Sequence, residues 1–135
     1  MRVRTAISDD IPGIDALLAR SYPRLLAADY PPSVLFTALP LISRAQPALV
    51  TTAAVGHVRH VASDPERLRR GIARRLLEHV IAKARAAGLT RLDCLSTRTA
   101  VPFYEAMGFG VVAPRDIPLA PAITFPAIET TRSLA

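Results

Sequence analysis

The segment from Val58 to Ala87 constrains this chain most. A short apolar-polar stretch runs into a turn made of Arg67, Leu68, Arg69, Arg70, Gly71, Ile72, Ala73, Arg74 and Arg75, and then into one amphipathic helix. Gly71 and Ala73 carry little or no side chain, so a ligand can approach their backbone closely. The helix that follows aims several unpaired N–H groups and its positive dipole end at the same place, which is how a chain holds a phosphate without a dedicated set of side chains. Five arginines within nine residues supply counter-charge as bidentate donors. Without a ligand, the same pattern reads as a solvated, arginine-rich helix start. Ile72, Leu76, Leu77, Val80, Ile81 and Ala84 form the helix's apolar stripe, and Gly88 stops it.

A chain of 135 residues makes one domain, 1–135, with a real core but little surplus. Its longest apolar stretches, Val34 to Ile42 and Ala48 to Val55, fall far short of the roughly 20 residues that span a bilayer. The N-terminus reaches Asp9, Asp10 and Pro12 before any apolar run develops, so no signal peptide is read there and a cytoplasmic location is expected. The net charge of +6 comes from 17 basic residues, 16 of them arginine, against 11 acidic ones. That balance favours anionic partners without choosing among them, and arginine in place of lysine hints at a GC-rich bacterial genome. Cys94 is the only cysteine, which excludes an internal disulfide and any multi-cysteine metal site; mid-strand, it reads as a small buried hydrophobe.

Along the chain, Val3 to Ala6 reads as a first strand, and Ser8, Asp9 and Asp10 mark the start of a helix with Pro12 in its first turn. Ile11, Ile14, Leu17 and Leu18 give that helix an apolar face, and Tyr22 to Pro32 is a tract broken by Pro23, Pro31 and Pro32. A second helix spans Val34 to Leu41, with an extension across Pro40 to Arg44 open. Ala48 to Val55 is long enough for one strand, His57 to Ala62 is a strand, and Arg91 to Leu95 is another. No linker or internal repeat divides the chain.

After Arg91 to Leu95 come Ser96, Thr97, Arg98 and Thr99, then Ala100, Val101, Pro102, Phe103, Tyr104, Glu105, Ala106, Met107, Gly108 and Phe109. Glycine turn, helix, strand, short helix and Gly-Phe, in that order, resemble the GNAT N-acetyltransferase superfamily. The family's phosphate loop, Gln/Arg-x-x-Gly-x-Gly/Ala, is matched by Leu68 to Ala73 at Gly71 and Ala73, with Leu68 where Gln or Arg is usual. Its alanine, aromatic, tyrosine and Gly-Phe positions fall on Ala100, Phe103, Tyr104, Gly108 and Phe109. The resemblance is strong from about Gly56 to Val112 and looser from Arg2 to Arg44.

The resemblance implies an α/β (α+β) fold with a mixed, mostly antiparallel central sheet flanked by helices, and an acetyl group moved from acetyl-CoA to an amine acceptor. His57 to Ala62 would be the central strand, splaying away from Arg91 to Leu95 to admit the pantetheine arm, whose amide groups would pair with backbone near Val61 and Ala62. Pyrophosphate would sit on the N–H groups of Arg69, Arg70, Gly71, Ile72, Ala73 and Arg74. A backbone N–H near Val61 would serve the oxyanion, and Tyr104 would meet the departing sulfur. Proton transfer from a tyrosine near pKa 10 to a thiolate near 8.5 is uphill by about 2 kcal/mol, so a hydrogen bond that strengthens with charge is the role expected of it. Tyr22, Tyr30 and Phe36, in the helical region on the acceptor side, are candidate acceptor contacts.

Other readings of the same residues stand beside this one. Ala100, Phe103, Tyr104 and Met107 also form an i, i+3, i+4, i+7 core stripe. His57 and His60 fall on opposite strand faces, so at most one, with His60 preferred, serves as general base; both also fit structural roles. Residues three apart on a strand do not converge on a metal, and none is expected. The family places two antiparallel strands before its central strand, a hairpin needing roughly 12 to 15 residues. This chain has room for one strand. A reduced N-terminal half is therefore expected, with an exposed edge or a strand supplied by a second subunit of a homodimer. A shortened chain of this kind also fits a catalytically silent coenzyme A or protein-interaction domain. Nucleic acid is an unlikely partner: with no Trp and no recognisable reading motif, the arginine cluster supports only salt-sensitive, nonspecific binding.

Overall fold

The computed structural model describes residues 2–43, 49–52, 54–59 and 61–135, with the backbone alone for 49–52. Its elements are α1 (Ile11–Leu25), α2 (Pro32–Ile42), β1 (Leu49–Thr52), β2 (Val55–Val58), α3 (Ile72–Ala86), β3 (Arg91–Ser96), α4 (Val101–Ala106), β4 (Gly110–Ala120) and β5 (Ile123–Ser133). The five strands form one sheet in the order β1-β2-β3-β5-β4. Only the β2–β3 pair is parallel; the other three pairs are antiparallel. This is the mixed, mostly antiparallel sheet expected from the resemblance.

The N-terminal half differs from the expectation in detail. Val3 to Ala6 is not a strand: the segment pairs with no strand among the described residues and is tied down by the Arg4–Asp10 ion pair (2.7 Å) and a Lys83–Thr5 hydrogen bond (3.4 Å) from α3. Ala48 to Val55 does not form one strand either, because the chain reverses so that Thr52 pairs with Val55 and Leu49 with Val58. Among the described residues, β1 alone precedes the central strand, and it is the sheet's edge. The central strand itself runs Val55–Val58, starting two residues earlier and stopping four residues sooner than His57 to Ala62. The proline-broken tract starts later than expected. Helix α1 continues through Pro23 to Leu25, since a proline in the last turn removes only one intrahelical bond.

Two apolar clusters hold the sheet between helices. On one side, Leu77, Val80, Ile81 and Ala84 of α3 pack with Val58, Leu92, Cys94, Tyr104, Met107, Phe109 and Leu134. On the other, Leu18, Tyr22, Leu26, Tyr30, Leu35 and Ala38 pack against Phe125. Cys94 pairs with Thr130, and Phe125 has the opposite parity on β5, so the clusters lie on opposite faces. Ile72 does not join the buried stripe of α3: it is 37% exposed at the helix start.

The longest-paired part of the sheet is the β4–β5 hairpin, whose strands the sequence reading did not assign. Its prolines disguise it. Pro114 and Pro118 sit on β4, an edge strand, where a missing N–H costs no ladder bond on the open side. Pro126 sits on β5 beyond the end of its pairing with β3, which stops at Ser96↔Ile128.

Candidate functional site

The β2–β3 ladder ends at Val58↔Cys94, while Leu95 and Ser96 continue to pair only with β5. The sheet therefore opens between these strands, at the place the resemblance implies. Val61 and Ala62 lie past the end of β2, and each leans on a different core, Val61 on the α3 side and Ala62 on the α1–α2 side. His60 itself lies outside the described residues. His57 is half-buried on β2, opposite Asp93.

A cavity of about 620 Å³ begins at this opening. It is lined by Val61, Ala62 and Ser63, by Arg67 through Arg74, by Thr97, Thr99, Ala100, Pro102 and Phe103, and by Ser21, Tyr22 and Leu25 of α1 with Leu26 just after it. All eight expected cofactor contacts, Val61, Ala62, Arg69, Arg70, Gly71, Ile72, Ala73 and Arg74, are on its wall.

The loop geometry explains why these residues can meet an anion. The chain turns through the left-handed region at Arg69 (φ 60) and again at Gly71 (φ 73), the residue that precedes α3. For arginine this conformation is uncommon, and such strain collects at sites where backbone is presented to a ligand. The helix's first internal bond is donated by Arg75 N–H to Gly71 O, at 3.0 Å, so the N–H groups just before it have no partner within the helix. A Cβ at Gly71 would meet nothing within 4 Å: the glycine is required by φ and by what approaches, not by its protein neighbours.

The arginines are not equivalent. Arg74 is paired with Glu78 one turn on (3.1 Å), and Arg75 is not on the cavity wall. Arg67, Arg69 and Arg70 remain along it. Asp64, just before, is held below the usual carboxylate range, first by the Glu66 N–H it accepts and then by Arg20, and this Arg20–Asp64 contact (3.2 Å) ties the loop to α1.

Tyr104 is elsewhere. Its ring is 3% exposed, edge-on to Phe103 (5.2 Å) and Phe109 (5.3 Å), and it is Phe103 that faces the cavity. Burial raises the Tyr104 pKa well above 10, with Cys94 adding to the shift through a side-chain hydrogen bond. Burial likewise pushes the Cys94 thiol up to about 11, which keeps it an unreactive core residue. Of the tyrosines expected near the acceptor, Tyr22 lines the cavity and Tyr30 is buried, stacked on Phe125 at 4.7 Å. Phe36 is 84% exposed.

Sequence reasoning named Tyr22 but missed Ser21, Leu25 and the loop after β3. Tyr30 donates to Pro126 O (2.7 Å) and accepts from Arg98 N–H (2.8 Å), while Thr99 donates to Asp29 (2.7 Å), so the loop carrying Thr97 and Thr99 is fixed to the segment after α1. The signal for the α1 wall was present in the sequence as Ser21, a small polar residue inside the stripe Ile14, Leu17, Leu18, Tyr22, Leu25.

An open parallel strand pair, a helix start at its mouth and a flanking antiparallel hairpin are the arrangement that the resemblance to the GNAT superfamily implies. The family model for the acetyltransferase (GNAT) domain matches residues 43–117, and the chain belongs to that family, an acyltransferase enzyme of the GNAT type. The fold is similar to a GCN5-related N-acetyltransferase from Rhodopseudomonas palustris, at 14% identity over 96% of this chain and 93% of that one, with a TM-score of 0.79. It is also similar to the PaiA N-acetyltransferase from Thermoplasma acidophilum solved in complex with coenzyme A, at 13% identity over 98% of both chains, TM-score 0.75. N-acetylglutamate synthase from Neisseria gonorrhoeae, solved with coenzyme A and N-acetyl-glutamate, shares 25% identity over 98% of this chain at a TM-score of 0.67, and this chain spans 34% of that protein. No curated protein sequence matches significantly.

Proposed function

We propose that residues 1–135 form one N-acetyltransferase domain that moves the acetyl group of acetyl-CoA to a primary amine, in the cytoplasm of a bacterium. The observation that carries this is the single cavity linking the N–H-rich start of α3 to the open end of the β2–β3 pair. Pyrophosphate belongs on the N–H groups of Arg69 to Arg74, with Arg67, Arg69 and Arg70 as counter-charge. The dipole contributes about 0.3 to 2 kcal/mol there, so the guanidinium and N–H bonds carry most of the affinity. Main-chain groups of Val61 and Ala62, free of any strand partner in the sheet, receive the amide-bearing arm and place an N–H at the acyl carbonyl, where negative charge develops.

His60 is the general base in this reading. Tyr104 is the donor to the departing sulfur. With its pKa raised, Tyr104 stays protonated throughout the working pH range and acts by hydrogen bonding rather than by giving up its proton. Tyr104 is not on the cavity wall, so this role requires its side chain to leave Cys94 and move toward the sulfur when acetyl-CoA is bound. Tyr104→Phe keeps the ring contacts, so the expected result is a turnover lowered roughly tenfold or more with acetyl-CoA affinity and Tm close to the parent. Unchanged turnover would assign Tyr104 to the core stripe alone. The acceptor's amine is sought first among α-amino acids, because the similarity to N-acetylglutamate synthase covers 98% of this chain. Acetyl transfer from acetyl-CoA to an amino-acid and polyamine panel tests the reading.

A further inference from the structure

Ser21 is fully buried, at 0% exposure, yet its hydroxyl has no hydrogen-bond partner, and it is the one buried side-chain polar atom among the described residues in that state. A serine inside a helix ordinarily falls back on the carbonyl four residues earlier, here that of Leu17. Ser21 does not. A buried hydroxyl without a partner destabilises the fold, so its retention needs a reason. Ser21 also lines the cavity, which Val61 and Ala62 line as well.

We propose that Ser21 Oγ is a binding residue for a neutral carbonyl of acyl-CoA, either an amide of the pantetheine arm or the thioester itself. This rests on the functional reading above and adds a contact to it. The chemistry of the wall selects the group. Leu25 at the end of α1, Leu26 just after it and Phe103 line the same cavity, an apolar surround that disfavours a phosphate or an ammonium but accepts a carbonyl that a hydroxyl can meet. Phosphates already have the arginine loop. The arm is then held by main chain near Val61 and by the α1 hydroxyl of Ser21.

The test is calorimetric titration of the parent and Ser21→Ala with three probes: acetyl-CoA, coenzyme A, and 3′-phosphoadenosine 5′-diphosphate, which lacks the arm. Ser21→Ala is expected to weaken acetyl-CoA binding roughly three- to tenfold, to leave the diphosphate unchanged and to leave the Tm of the free protein equal or higher. Equal losses for coenzyme A and acetyl-CoA assign the amide; loss with acetyl-CoA alone assigns the thioester. Unchanged affinity for all three probes, a matching loss with the diphosphate, or a drop in free-protein Tm with affinity intact would overturn the proposal. A change confined to the KM of the amine would overturn it too. If the parent binds neither acetyl-CoA nor coenzyme A, the functional reading has failed and this contact with it.

Discussion

Gly71 carries the sharpest residue-level prediction. At φ 73 with nothing within 4 Å of a virtual Cβ, it is constrained by backbone conformation and by the ligand rather than by packing. An L-residue there costs about 1–2 kcal/mol, more for a β-branched one, and places atoms where backbone and pyrophosphate are to meet. Gly71→Val is therefore expected to weaken acetyl-CoA binding at least tenfold by titration, beyond its effect on Tm; unchanged affinity would exclude the loop as the phosphate site. A second residue tests the N-terminal segment. The Arg4 guanidinium, together with the Ile7 N–H, lowers the Asp10 pKa from 3.8 to about 2. A depressed carboxylate stabilises the fold above its unfolded pKa, and that contribution is lost as pH falls through about 2. The Asp10 carboxyl resonance should titrate near 2, and Arg4→Ala should return it towards 3.8.

At the scale of elements, the Gly-Phe signature turns out to be a helix stop. Gly108 sits at φ 86; its N–H donates to Glu105 O (3.0 Å) and that of Phe109 to Tyr104 O (2.9 Å), closing α4 while Phe109 packs edge-on to Tyr104. Arg132 of β5 completes the corner by donating to Met107 O, and a Cβ at Gly108 would meet its guanidinium at 3.4 Å. Gly108→Ala should thus destabilise by about 1–2 kcal/mol in a urea melt from the left-handed φ alone. A neutral result would mean the cap is not what holds α4. Helices α1, α2 and α3 were legible because 3.6-residue periodicity and the Ser8-Asp9-Asp10 start are local signals. The β4–β5 hairpin was not, since whether Pro114, Pro118 and Pro126 break a strand depends on which neighbours that strand has, and that is set only by the assembled sheet.

Across the whole molecule, the order of loop, helix, strand and short helix from Val55 to Phe109 was readable and fixed where the cavity lies. Less readable was the N-terminal half, because nothing local in Val3 to Ala6 tells a paired strand from an extended segment tied down by Arg4 and Asp10. Tyr22 was legible as a candidate contact, but Ser21 was not, because it reaches the cavity through the packing of α1 beside the loop that Arg20 and Asp64 bind. The central claim is that one cavity, between the start of α3 and the open end of β2–β3, receives acetyl-CoA. It is tested most directly by titrating acetyl-CoA into the labelled protein and following backbone amide resonances. Saturable shifts concentrated at Gly71 to Arg74 and at Val61 to Ser63 are the predicted result. Shifts gathered instead in the groove formed by Arg2, Val3, Gly13, Ile14, Leu17 and Leu76, or no saturable shifts at all, would contradict it.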